Sequence, residues 1–129
     1  MSKDERESAA MYVLIDDDPL IRMVFEDIMQ AEGHQIQAYG AAADAVDTLL
    51  SQELEGLIID YHLGEQSGVK MVHQLQQDGL LTDLPIMVMS ADSSDEVIQD
   101  CESHHLPFVS KSDPDLFAKI YDEMSLHAD

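Results

Sequence analysis

The chain is poor in the residues that would suit several large classes of function. Among its 129 residues there is one cysteine, Cys101, no tryptophan, and six lysines and arginines against 27 acidic side chains. A lone cysteine excludes an internal disulfide. A formal charge of -21 excludes nucleic acid or an anionic membrane as a direct partner, because both reward Lys and Arg. No apolar run is long enough to span a bilayer, and the start Met-Ser-Lys-Asp-Glu-Arg-Glu-Ser has neither the basic nor the apolar region of a secretion signal. The expected location is therefore the cytoplasm. Internal repeats, low-complexity tracts and long linkers are also missing.

What is present is an alternation. Short apolar runs at Met11–Ile15, His34–Tyr39, Leu57–Ile59, Ile86–Met89 and Leu106–Val109 are mostly continuous, as strands buried on both faces are. Between and after them, Pro19–Glu32, Ala41–Gln52, Ser67–Gln77, Ser93–Ser103 and Pro114–Met124 carry apolar residues at helical spacing. The first of these helices is predicted to start at Pro19 behind an Asp18 cap and to stop at Gly33, with Leu20, Ile21, Val24, Phe25 and Ile28 on one apolar arc and Met23 outside it. Five β-α units imply an α/β fold, a doubly wound parallel sheet with helices on both faces joined by right-handed crossovers. The second run alternates and reads as an edge strand. Residues 1–10 read as a loose tail, 11–125 as the domain and 126–129 as a C-terminal tail.

In such a sheet the site lies beyond the carboxyl ends of the strands. The residues in that position are Asp16, Asp17 and Asp18 after the first run, Asp60 after the third, Ser90 after the fourth and Lys111 after the fifth. Asp18 reads only as a cap. The remaining carboxylates would repel one another and stay ionised only beside a compensating cation. Oxygen donors without cysteine or histidine at metal spacing suit a hard ion, and Mg²⁺ is the natural choice where phosphate is also bound. Lys111 stands out because two of the other five basic residues, Lys3 and Arg6, fall in the tail. A carboxylate, a divalent ion, a hydroxyl and an ammonium group together suit phosphoryl transfer to Asp60.

On these residues the chain resembles a response-regulator receiver domain of two-component signalling, from about Met11 to Met124. Asp16 and Asp17 match the family's acidic pair, Asp60 its phosphoacceptor, Ser90 its hydroxyl residue, Lys111 its lysine and Phe108 its aromatic switch residue, while Ala91 is suitably small. The resemblance implies a flavodoxin-like (βα)5 sheet of order 2-1-3-4-5. It also implies Mg²⁺ held by Asp17, Asp60 and the backbone carbonyl of His62, with Asp16 acting through water. The implied donor is a phosphohistidine on a histidine kinase or phosphotransfer protein. Phosphate oxygens would then be bound by Ser90 and Lys111. Movement of Ser90 would draw Phe108 inward and alter the face of the fourth and fifth helices, where a downstream protein target would bind. His62 and Asp92, two residues after Asp60 and Ser90, would tune loss of the phosphoryl group, and Met23 would face the donor. The chain is expected to catalyse only its own phosphorylation and dephosphorylation, not to be an enzyme in the wider sense. With no basic helix-turn-helix or second enzymatic pattern after Met124, it is expected to act through another protein.

Two positions depart from the family pattern: Gly64 stands where proline is common, and Ser112 follows the lysine where a cis proline is usual. Two other readings compete. A phosphohydrolase of the haloacid dehalogenase type would need a second aspartate two residues after the first, where this chain has His62. A phosphorylation-independent pseudoreceiver would act purely as a protein-binding module. His104 and His105 are adjacent and diverge in any regular element, and no second pair stands at ligand spacing, so no metal site is expected there. Cys101, four residues after Val97, reads as core.

Overall fold

Five short strands, each too apolar to face water, set the architecture. In a computed structural model that describes residues 11–51, 53–64 and 66–124, they are β1 (Tyr12–Ile15), β2 (Ile36–Tyr39), β3 (Gly56–Asp60), β4 (Ile86–Ser90) and β5 (Phe108–Ser110). All pair in parallel, and their order across the sheet is β2-β1-β3-β4-β5. The chain alternates these strands with α1 (Pro19–Ala31), α2 (Ala42–Ser51), α3 (Gly68–Gln77), α4 (Asp95–Ser103) and α5 (Leu116–Met124). The doubly wound, flavodoxin-like fold is thus present, with β2 at one edge. The expected tails at 1–10 and 126–129 lie outside the described residues.

Alternate residues of each central strand serve opposite faces, which is why the runs had to be apolar throughout. Val13 and Ile15 of β1, with Leu57 and Ile59 of β3, pack under α2, α3 and α4 against Ala45, Leu49, Val72 and Cys101. Tyr12 and Leu14, with Ile58, face α1 and α5 and meet Phe25, Met29, Ile120 and Met124. Cys101 is fully buried, as its spacing implied.

The helix starts follow cap chemistry. The Asp18 carboxylate accepts the Leu20 amide at 2.9 Å ahead of Pro19, and the Ser67 and Ser94 hydroxyls accept from Lys70 and Val97. The apolar arc expected on α1 needs a correction. Leu20 is 62% exposed, and Met29 is buried instead with Phe25. Leu20, in the first turn of α1, belongs to neither core cluster, whereas its neighbour Ile21 packs against the one under α1 and α5.

The loop after β3 is more ordered than its polar sequence suggests. His62–Leu63 and Gln66–Ser67 form a two-residue antiparallel ribbon, closed where Gly64 adopts φ +64°, a conformation that favours glycine. Gly68 then begins α3 directly against the end of β3. Its amide donates to the Tyr61 carbonyl at 2.7 Å, and a Cβ there would lie 2.3 Å from the Asp60 carbonyl oxygen. Neither neighbour is a flexible side-chain tip. Gly68→Ala is therefore expected to destabilise the protein by about 1–3 kcal/mol, as overpacking does. Urea unfolding checks this, and a change under about 0.5 kcal/mol would show that α3 can shift freely.

Candidate functional site

The parallel register brings the strand ends together. β1, β3 and β4 are the adjacent central strands, so the residues that follow or end them, Asp16–Asp17, Asp60 and Ser90, share one edge. Carboxylate oxygens of Asp16, Asp17 and Asp60 all lie within 4.8 Å of one another. Asp16 and Asp60 are buried and Asp17 is exposed, so the cluster is open to solvent on one side only. The β1–α1 loop that carries the pair is pinned from two directions. Asp16 N–H donates to the Tyr39 carbonyl at 3.0 Å, and Arg22 Nη1 donates to the Asp16 carbonyl at 2.8 Å.

Lys111 reaches this cluster from the β5–α5 loop. Its ammonium lies 2.7 Å from Asp16 Oδ2 and 3.2 Å from Asp60 Oδ2. The Lys111–Ser112 bond is trans. The loop holds its shape through a Ser110–Asp113 turn, with the Asp113 amide on the Ser110 carbonyl and the Ser112 amide on Ser110 Oγ. The departure from proline at Ser112 therefore leaves the lysine at the carboxylates. Lys111 N–H also donates to the Ser90 carbonyl at 2.9 Å, tying the loop to β4.

Electrostatics make the cluster cation-seeking. Burial, and then the neighbouring Asp16 charge, push the Asp60 carboxyl above the usual carboxylate range, against the opposing pull of Lys111 and a hydrogen bond from the His62 backbone. Burial disfavours the Lys111 charge, yet the two aspartates outweigh it and raise the lysine above its ordinary value. Asp16 Oδ2 is buried and ion-paired to the Lys111 ammonium at 2.7 Å, with no other hydrogen-bond partner among the described residues. Three carboxylates face one ammonium, an excess of acidic groups over basic ones. That donor set, all oxygen and partly open, fits a hard divalent cation.

The other predicted residues fall around this edge. Ser90 is buried, and its hydroxyl accepts the Asp92 amide at 2.9 Å. His62 and Asp92, both exposed, meet across the mouth at 3.3 Å between Nε2 and Oδ2. Hydrogen bonds from Ser94, then His62, hold the Asp92 carboxyl below the usual range. Phe108 is half-buried at the start of β5 and packs against the core on the side of α2, α3 and α4. Met23 is 56% exposed on α1. Two contacts went unnoticed in the sequence, the Arg22 tether and a hydrogen bond from Tyr61 Oη to Asp100 Oδ2 at 2.7 Å, which links the residue after Asp60 to α4. The scarcity of basic residues was the available signal for Arg22; Tyr61 and Asp100, 39 residues apart, offered none.

Replacing Asp60 tests the electrostatic balance. A carboxyl whose pKa is raised on folding binds its proton more tightly in the native state. Stability therefore falls as pH rises from the unfolded value through the raised one, and the full penalty persists at neutral pH. Asp60→Asn should stabilise the metal-free protein at neutral pH by on the order of 1 kcal/mol. The gain should vanish as pH falls below the unfolded value of about 3.9. Urea unfolding in EDTA checks this; a destabilised variant at neutral pH would mean that the lysine pair outweighs burial and repulsion.

Comparison with known proteins agrees with this geometry. The family model described as "Response regulator receiver domain" matches residues 13–120. The sensory/regulatory protein RpfC of Xanthomonas campestris is 28% identical over 88% of this chain, which spans only 16% of that protein. The two-component response regulator ORR5 of rice is 24% identical, over 75% of this chain and 73% of its own. Among solved structures, the chemotaxis protein CheY4 of Vibrio cholerae superposes with a TM-score of 0.78 at 17% identity, covering 89% of this chain and 98% of that one. A response regulator of Burkholderia pseudomallei, described with a phosphorylated aspartic acid and a calcium ion, gives 0.74 at 17% identity over 87% of this chain and 65% of its own.

Proposed function

The chain belongs to the response regulator receiver family, and from that premise we propose that it accepts a phosphoryl group on Asp60 from a phosphohistidine donor and signals through its α4-β5-α5 face. The observation that carries this reading is the placement of Lys111 Nζ against both Asp16 and Asp60, the two buried members of a carboxylate cluster. An Asp60 oxygen forms the new P–O bond as the P–N bond to the donor imidazole breaks, and the ring nitrogen keeps the electron pair. Asp17, Asp60 and the His62 carbonyl would hold Mg²⁺, with Asp16 supporting it through water, and the bound ion would supply charge neutralisation at the phosphoryl oxygens. Lys111 turns from its carboxylate partners to those oxygens, and the Ser90 hydroxyl, whose oxygen accepts the Asp92 amide, donates its O–H to one of them. That new hydrogen bond is the event that would move Phe108. The chain turns over only its own phosphorylation and dephosphorylation. Partners are a histidine kinase or phosphotransfer protein and a downstream protein. Relatives named as sensor proteins and response regulators support this pairing. No helix among the described residues is long and apolar enough to cross a membrane.

Incubation with acetyl phosphate and Mg²⁺ tests the reading. One equivalent of label is expected on Asp60 and none on Asp60→Asn. Asp17→Asn should reduce labelling and blunt the rise in Tm that millimolar Mg²⁺ gives the wild type. A chase with the His62→Ala and Asp92→Ala variants should change the rate of phosphate loss more than twofold. Absence of label in the wild type would favour a pseudoreceiver, and multiple turnover of phosphate esters a hydrolase.

The docking side has its own test. Leu20 and Met23, 62% and 56% exposed, lie three residues apart on α1, the helix that follows Asp16 and Asp17. Met23→Lys should leave acetyl-phosphate labelling unchanged but slow transfer from the cognate histidine protein. Equal transfer rates at subsaturating donor would place Met23 outside the interface.

A further inference from the structure

Folding brings to His104 a partner that the sequence did not reveal. His73 of α3 and His104 at the end of α4 lie 31 residues apart, yet their rings meet edge to face with centroids 5.1 Å apart and planes at 70°. Both line a cavity of about 260 Å³ between the two helices, together with Ser67, Val69, Lys70 and Asp100. His105 is no part of it, because its backbone turns to φ +58° and its side chain is exposed.

Two imidazoles bound to one tetrahedral ion, each at a metal–nitrogen distance of about 2.0–2.1 Å, stand with their ring centroids about 5 Å apart. The observed separation is of that size, and rotation of the exposed His73 ring out of its edge-to-face contact would aim a nitrogen of each ring at one ion. The tautomer of His104 is also set. Its Nδ1 lies 2.9 Å from the Asp100 carbonyl, which can only accept, so Nδ1 carries the hydrogen and Nε2 keeps its lone pair. A backbone carbonyl or carboxylate holding the second ring nitrogen in this way is the usual support of a metal-ligating histidine. The Asp100 side chain adds to it, with Oδ1 3.4 Å from Nδ1 and Oδ2 engaged by Tyr61.

We propose that His73 and His104 form a two-imidazole site for a borderline transition-metal ion such as Cu²⁺, Zn²⁺ or Ni²⁺, separate from the carboxylate cluster and bridging α3 to α4. Water completes the coordination, since Asp100 is committed to orienting His104. Imidazole donors select these ions over Mg²⁺, which prefers the oxygen-only cluster. The net charge of -21 raises the local concentration of any divalent cation.

The test is titration of the metal-stripped chain with Cu²⁺ in excess Mg²⁺, followed by electron paramagnetic resonance. One tightly bound equivalent with coupling to two imidazole nitrogens is expected. His73→Gln and His104→Gln should each remove one nitrogen and weaken binding by at least the roughly tenfold that loss of a supporting hydrogen bond brings. His62→Gln and His105→Gln should leave the spectrum unchanged. Zn²⁺ should raise the Tm of the wild type but not that of the His73→Gln, His104→Gln double variant. Because His73 is exposed, its variant should keep the far-UV circular dichroism of the wild type and carries the test even if His104→Gln folds poorly. Absence of imidazole coupling in the wild type, or coupling and affinity unchanged in both single variants, overturns the proposal.

Discussion

The structure is organised around one uneven charge balance, in which a single lysine stands against buried carboxylates that it cannot fully neutralise. Everything near the edge serves to hold that arrangement. The sheet order puts β1 and β3 side by side, the Arg22 tether fixes the loop carrying Asp16 and Asp17, and the Ser110–Asp113 turn delivers Lys111. A pocket with residual negative charge suits a divalent cation and, under the proposed function, would meet a phosphoryl group through it. The same residual charge is a cost to the resting fold, since Asp60 is buried beside Asp16. Function and stability therefore oppose one another at this point, a common condition of sites built to receive charge.

Much of this was legible in the sequence because the fold is repetitive and its rules are local. Continuous apolar runs required strands with two covered faces, and a reactive side chain after such a run had only one place to go. Asp16, Asp17, Asp60, Ser90 and Lys111 could be located at the edge on that reasoning alone. Where local rules ended, so did the reading. Leu20 fits a helical arc but stays exposed in the first turn of α1, which spacing within the helix does not report. The ribbon at His62–Ser67 is too short to show a period. The meeting of His73 with His104, and of Tyr61 with Asp100, depends on how α3 and α4 lie across one face, which no spacing within either helix reports.

The two sides of the sheet are also unequal in what they can transmit. The face under α1 and α5 is apolar and packed, with Phe25 and Phe117 in contact at 4.8 Å between centroids. The other face carries a polar seam running from Tyr61 beside Asp60 through Asp100 to His104 and His73. Directional bonds along that seam can be exchanged one at a time, whereas the packed face moves only as a block.

The ribbon after β3 bears on how such a domain can diversify. Its ends are held by backbone pairing and by Gly68 resting on the carbonyl oxygens of Asp60 and Tyr61, none of which depends on the side chains at positions 62, 63 or 66. The rim of the pocket can thus exchange its side chains while Asp60 stays where it is. Variation in this loop would alter what water and partners meet at the mouth without moving the carboxylate beneath, so reactivity and recognition can evolve at separate rates on the same few residues.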